Sequence, residues 1–406
     1  MTSMLLLLHF AELLLWFCMA VSVAYVAFFA LASLLPARRR KKNALPKKEG
    51  APLPHYLLLI PAYAEDGVIR QTVAAVLAQD YPADHCRAMV ISDHMQEATN
   101  QWLAAQPITL LQPQFDRSSK ARALQYAMQQ AAEDASFSPT HVVILDADNI
   151  VQPDFLRRLA LVCADGHIAI QCHRTAKNAN SEVAVLDGVS EEINNTLFRR
   201  GHNRVGLSSA LIGSGMCFGY EWLAQNVVQL TTAGEDRELE VLLMRQRHHI
   251  HYADDLLVQD EKVASGDNFQ RQRLRWMSAQ TQCLLAMLPH VPRALVSLNI
   301  DYLDKTLQQA LVPRSILLLL VGGMTVLSTV LALLLPSVAP VAWLRWWGLL
   351  IVLVVALMVA IPRRLRTRTV FGKVMHVPQL AWRMLCNLAR IDRSNSHFIH
   401  TTHEQQ

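Results

Sequence analysis

The chain of 406 residues is 52% hydrophobic and 17% charged, with a formal net charge of +5. Soluble domains carry roughly a quarter charged residues, so part of this chain is built for a membrane, and the same arithmetic excludes intrinsic disorder. Seven cysteines without a C-x-x-C pair exclude a disulfide scaffold or a cysteine zinc site, and the modest charge points away from nucleic acid as a partner.

From Leu13 to Leu35 no charged residue interrupts the chain, and at about 1.5 Å per residue such a helix crosses a hydrocarbon core of about 30 Å. Arg38 to Lys42 and Lys47-Lys48 follow directly. A cleaved leader would place its charges before the apolar run, so residues 1–37 are expected to be an uncleaved anchor. The positive-inside rule then puts the N-terminus outside and the basic linker 38–54, with everything after it, in the cytoplasm. His9 and Glu12 fall at the outer interface on this reading.

Residues 55–280 read as a folded cytoplasmic domain. His55–Pro61 is a short apolar strand, followed by a loop with Glu65, Asp66 and Gly67, and then by Val68–Gln79 at helical spacing. Ala88–Ser92 is a second strand ending in Asp93, Ser118–Ala132 a helix, and His141–Leu145 a buried parallel strand by its continuous apolar run. Alternating strands and helices make a doubly wound α/β sheet. Such sheets bind ligands beyond the carboxyl ends of their strands, where Asp93, Asp146 and Asp148 fall. Cys86, Cys163, Cys172 and Cys217 in this domain read as reduced, buried thiols.

Asp146-Ala-Asp148 is either a solvated turn or a place where a hard divalent cation and a diphosphate meet, since Mg2+ binds through one or two carboxylates plus phosphate oxygens. Thr232-Ala-Gly-Glu235-Asp236 opens a helical segment, and its acidic pair is either functional or simply favoured by the helix dipole. Gln272-Arg-Leu-Arg275-Trp276 offers a guanidinium fork for a diphosphate and an indole for a sugar face. The plainer reading is an amphipathic helix with a snorkelling Arg and an interfacial Trp. His248, His249 and His251 read as a strand edge, and Gly213 and Gly215 as tight backbone packing, because no P-loop Lys-Ser/Thr follows them.

Residues 281–314 are apolar but broken by Pro289, Pro292, Asp301 and Asp304, which suits helices lying on the membrane plane. Residues 315–361 form a membrane hairpin, Ser315–Leu335 and Val341–Ile361 around a turn at Pro336–Pro340. Trp343, Trp346 and Trp347 flank Arg345 near its outer turn. The tail 362–406 is expected to return to the cytoplasmic surface, giving an integral inner-membrane protein of three spans.

Taken in order, Asp93, Asp146-Ala-Asp148, Glu235-Asp236 and Gln272-Arg-Leu-Arg275-Trp276 resemble the motif set of the membrane-bound family 2 glycosyltransferases, which include cellulose, hyaluronan and poly-N-acetylglucosamine synthases. The resemblance runs from about His55 to Trp276 and extends to the flanking spans. It implies a GT-A fold, and an inverting transfer of a sugar from a nucleotide-diphosphate donor, UDP-linked, to a growing saccharide. It further implies that Asp93 and Glu65 contact the uridine, that Lys120 and Asp146 hold the nucleotide, and that Asp148 with Asp146 binds Mg2+ or Mn2+. Asp236 with its neighbour Glu235 would face the acceptor, Asp236 as the general base, while Gln272 and Arg275 grip the diphosphate and Trp276 stacks under the acceptor sugar. The chain departs from the family at Ala64, where Asn is frequent, at His94-Met95-Gln96 in place of an Asp-Gly-Ser type loop, and at Ser119 in place of Gly. Rival readings are transfer of single sugars to a membrane lipid, and a non-catalytic scaffold or export component. Polymer export through three spans calls for homo-oligomers or export partners.

Overall fold

The computed structural model describes residues 2–36, 53–178, 181–232, 234–262, 266–335, 342–367 and 372, with 2–5 and 266–275 described by their backbone alone. Most of the basic linker 38–54, the turn Pro336–Pro340 and the tail beyond 372 lie outside the described residues. In chain order the elements begin α1 (Thr2–Ala32), β1 (Tyr56–Tyr63), α2 (Ile69–Leu77), β2 (Cys86–Asp93), α3 (Glu97–Ala104), β3 (Thr109–Leu111), α4 (Lys120–Glu133), β4 (His141–Ile144), β5 (Ile150–Val151) and α5 (Phe155–Cys163). They continue β6 (Ala169–Ala176), α6 (Glu182–Asn194), α7 (His202–Arg204), β7 (Met216–Gly219), α8 (Tyr220–Asn226), α9 (Glu235–Arg245) and β8 (Ile250–Asp260). The last are α10 (Gly266–Met287), α11 (Val291–Val296), α12 (Ile300–Ala310), α13 (Arg314–Leu334) and α14 (Ala342–Ala360).

By its internal contacts the chain divides into two units. The larger one, Ala37–Glu191 with Gly206–Gln309, holds an eight-stranded mixed sheet in the order β3-β2-β1-β4-β7-β6-β8-β5. β1 is a continuous apolar run because it is covered on both faces. Leu57 and Leu59 point to one face, in a core with Leu124, Phe218 and Leu239. Leu58 and Ile60 point to the other, with Val73, Phe155 and Val258. The β1, β2, β3 and β4 pairings are parallel, whereas β7 runs antiparallel to both β4 and β6. Consecutive strands step outward from β1 to β3 and then return to β4 on the other side of β1. That reversal opens a crevice at the carboxyl ends of β1 and β4, which is where open α/β sheets bind ligands. The first half of the sheet agrees with the reading from periodicity. The short strands β3, β5 and β7 escape it, because two to four residues carry too little pattern.

Local chemistry sets one boundary that matters for the site. α4 starts at Lys120 rather than Ser118, because the Ser119 hydroxyl caps it, accepting from the Arg122 N–H at 3.2 Å. Ser119 therefore has a helix-capping role that fixes the start of the segment carrying Lys120.

The smaller unit comprises Met1–Pro36, Glu192–Val205 and Ala310–Ile391. Leu6–Ala32, Arg314–Leu334 and Ala342–Ala360 are each long and apolar enough to cross a membrane. α14 packs on both α1 and α13. Glu12 on α1 accepts from Arg345 Nη2 at 2.9 Å and from Trp346 Nε1 at 2.8 Å, so the acid, the cation and one belt tryptophan form a single cluster. The segment Asn195–Gly201 widens to π-helical geometry against α1. A Cβ at Gly201 would stand 2.5 Å from the Phe29 carbonyl oxygen, so only glycine permits this approach. Next to it the His202 ring stacks on Phe29 at 3.6 Å between centroids.

Candidate active site

Two loops leave the sheet side by side, because β1 and β2 end in register with Tyr63 beside Asp93. Each turns through a left-handed residue, Ala64 at φ 51° and His94 at φ 56°. The Ala64 N–H donates to the Asp93 carbonyl at 3.0 Å, the Glu65 N–H to the Met95 sulfur at 3.0 Å, and the Gln96 N–H to Asp66 Oδ1 at 2.9 Å. These cross-links hold the two loops as one wall. Asp93 is 6% exposed, and its Oδ1 accepts from His94 Nδ1 at 2.6 Å.

Across the crevice, Lys120 at the start of α4 donates to Asp146 Oδ1 and to the Gly213 carbonyl at 2.7 Å, and lies 3.5 Å from Glu235 Oε1. Gly213 has φ +73°, and a Cβ there would stand 3.8 Å from Glu235 Oε1 and 4.0 Å from Asp236 Oδ2. Its missing side chain thus leaves the backbone close to three charged groups. Lys120, Asp146, Gly213, Glu235 and Asp236 therefore converge, though they come from four separate stretches of sequence. Burial disfavours the Lys120 charge, but Asp146 and Glu235 hold its pKa above the ordinary value. Asp146 is held below its ordinary value: burial opposes ionisation, and Lys120, then Arg174, overcome it. Burial, reinforced by Asp236 and opposed by Lys120, pushes Glu235 up to about 7.

Asp148, 8% exposed, is fixed by the Asn149 amide on Oδ1 at 3.0 Å and by the Glu261 N–H on Oδ2 at 2.9 Å. Asp146 and Asp148 thus keep different partners. Glu65 is pushed up to about 9, first by burial and then by Asp148, Asp146 and Glu261. Among the described residues no three His, Cys, Asp or Glu side chains close around one point. A hard divalent cation nevertheless fits this donor set. Mg2+ and Mn2+ take carboxylate oxygens, one or two protein carboxylates suffice when a diphosphate completes the shell, and a cation would relieve the repulsion that raises Glu65.

Gln272 and Arg275 lie on α10, within the part described by backbone alone, and Trp276 is half-buried on the same helix. At Gly234, directly before the acidic pair, a Cβ would come within 3.3 Å of the Ala279 Cβ, so α9 starts against α10 one turn beyond Trp276. The three histidines take separate partners: His248 meets the Trp222 ring edge-on, His249 contacts Ser208, and His251 stacks on His167.

Of the residues the motifs pick out, the structure brings together Lys120, Asp146, Glu235 and Asp236, and one buried group escapes the motifs. Arg174 on β6 binds Glu191 at 3.0 Å and Asp260 at 3.4 Å, and Lys262 binds the same two carboxylates at 2.8 Å each. All four side chains are buried. The quartet ties the end of β8 to β6 and α6 immediately beside Glu261, whose N–H holds Asp148. Its only trace in the sequence is charge at the end of an apolar strand, Asp260-Glu-Lys262, and the partners lie too far away in the chain for that to be read as a network.

A family model described as "Glycosyltransferase like family 2" matches residues 54–279. An N-acetylglucosaminyltransferase of Rhizobium meliloti (strain 1021) is 23% identical, over 81% of this chain and 77% of its own. The solved mannosyltransferase PcManGT from Pyrobaculum calidifontis, in complex with GDP-Man and Mn2+, superposes with a TM-score of 0.53 at 16% identity, covering 86% of this chain and 98% of that one. At that identity the likeness is one of fold, and the fold is GT-A.

Proposed function

The chain belongs to the family 2 glycosyltransferases, and from that premise we propose that it is an inverting enzyme of the inner membrane, transferring a sugar from a UDP-linked donor to a saccharide acceptor. The observation that carries the proposal is the convergence of Lys120, Asp146, Glu235 and Asp236 around the Gly213 backbone, at the ligand-binding end of the sheet. The name of the Rhizobium relative supports N-acetylglucosamine as the sugar.

Each group has a task that its chemistry suits. Asp236 takes the proton from the acceptor hydroxyl as that oxygen bonds to the anomeric carbon. The bond from that carbon to the diphosphate breaks on the opposite side, inverting the centre and releasing UDP. Lys120, already charged and aimed into the crevice, stabilises the leaving diphosphate, and Asp93 with Glu65 receives the uridine. Mg2+ or Mn2+ held by Asp148 and Asp146 would neutralise charge on the diphosphate. Gln272 and Arg275 contribute to the same end, and Trp276 supports the acceptor sugar.

The membrane shapes the choice of acceptor. Three helices are long and apolar enough to cross a bilayer, and the basic run after the first supports a reading with the N-terminus outside and the catalytic domain in the cytoplasm. Leu295, Val296 and Leu298, on and just after α11, stand exposed, as side chains entering a membrane surface would. That exposure favours a second reading in which the acceptor is a membrane lipid. A long polymer would need further copies or an export partner to cross. Purified full-length protein incubated with radiolabelled UDP-N-acetylglucosamine and Mn2+ should yield labelled product, and chelation of the metal should stop it. Label retained in a water-soluble polymer supports the saccharide acceptor, organic-extractable label supports the lipid, and no label from any UDP-sugar would refute the proposal.

A further inference from the structure

The GT-A fold does not by itself fix the nucleobase, since the mannosyltransferase that shares it was captured with GDP-Man. We propose that His94, by holding one oxygen of Asp93, makes the site select uracil over guanine; this rests on the reading of Asp93 as the base-contacting residue.

The geometry is specific. His94 sits at φ 56°, a left-handed conformation that non-glycine residues rarely adopt. That conformation turns its ring back onto Asp93, 2.6 Å from Nδ1 to Oδ1, and lays it against Tyr63 with centroids 5.1 Å apart. Carboxylate oxygens accept, so the imidazole Nδ1 carries the proton and donates. Among the described residues this is the hydrogen bond made to the Asp93 side chain, and it leaves the second oxygen, Oδ2, as the acceptor for a base. The His94 side chain is 59% exposed, so the pair stands at the mouth of the crevice between the β1 and β2 loops.

The two bases ask different things of a carboxylate. Uracil presents one ring N–H, at N3, flanked by carbonyl oxygens, and a single acceptor oxygen satisfies it. Guanine presents two adjacent donors, N1–H and the exocyclic amine, which pair best with both oxygens of one carboxylate. With Oδ1 engaged by His94, Asp93 suits the single donor and leaves the second guanine N–H without its partner, and a donor that loses water on binding without gaining an acceptor is penalised.

Binding of UDP and GDP, each with Mn2+, to the detergent-solubilised full-length chain tests this by titration calorimetry on wild type, His94→Gly and His94→Asn. Glycine accepts φ 56° without strain, so loss of folding does not confuse the result. Asparagine also tolerates that conformation, and its amide nitrogen takes the place of Nδ1. The wild type should prefer UDP. His94→Gly should narrow the UDP-to-GDP affinity ratio by about tenfold, and His94→Asn should keep it. An unchanged ratio in His94→Gly, or equal loss in both variants, would overturn the role of His94 while leaving Asp93 as the uridine contact. A wild type with no preference for UDP would overturn both.

Discussion

Glu235 holds a proton in the fold that the unfolded chain would give up, and the consequence is a pH dependence with a definite sign. Its pKa rises from an ordinary value of 4.5 to about 7, so the stability linked to its protonated form is complete below about 4.5 and is lost as the pH climbs through 7. Measured by chemical denaturation, Glu235→Gln should remove up to about 3 kcal/mol of the stability lost between pH 5 and pH 8. Equal slopes in variant and wild type would contradict the assignment. At this scale much of the site is legible in the sequence, because Asp93, Asp146, Asp148 and Asp236 stand at strand ends or helix starts that periodicity already locates. Lys120 is legible only through its family motif, since its role depends on Gly213, far along the chain. The electrostatic character of Glu65 is not legible at all, for it arises from burial and from four other carboxylates.

Elements are held by pairings that a linear reading underestimates. β8 ends in Asp260, and the quartet of Arg174, Glu191, Asp260 and Lys262 fixes that end against β6 and α6. Buried ion pairs contribute little beyond an apolar substitute, yet removing one partner leaves a charge stranded. Lys262→Met, which keeps the length of the side chain but not its charge, should therefore destabilise the domain by about 3–5 kcal/mol. An unchanged denaturation midpoint would show that water screens the cluster. The segment Glu192–Val205 teaches the same lesson in the apolar unit. Its sequence, with Asn194, Asn195, Arg199 and Arg200, gives no sign of packing beside spans. It packs there because Gly201 lets the backbone meet Phe29, and because His202 donates to the Leu197 carbonyl and accepts from Tyr25. Short strands, capped starts and contacts through a bare glycine are decided by partners distant in sequence, so they appear only once the chain is folded.

For the whole molecule, the skew between apolar and charged residues resolves into three apolar helices of 27, 21 and 19 residues and an α/β domain. That division was readable because uninterrupted apolar runs of such length have few other uses. On the proposed reading, an inverting transfer needs a carboxylate opposite the diphosphate to take the acceptor proton, and that role falls to Asp236. The account therefore stands or falls on Asp236, and the direct measurement is transfer from UDP-N-acetylglucosamine by purified Asp236→Asn beside its affinity for UDP. The expected result is transfer reduced by at least about a hundredfold with UDP affinity within about twofold of wild type. Transfer that survives the substitution would contradict the central claim that this carboxylate activates the acceptor.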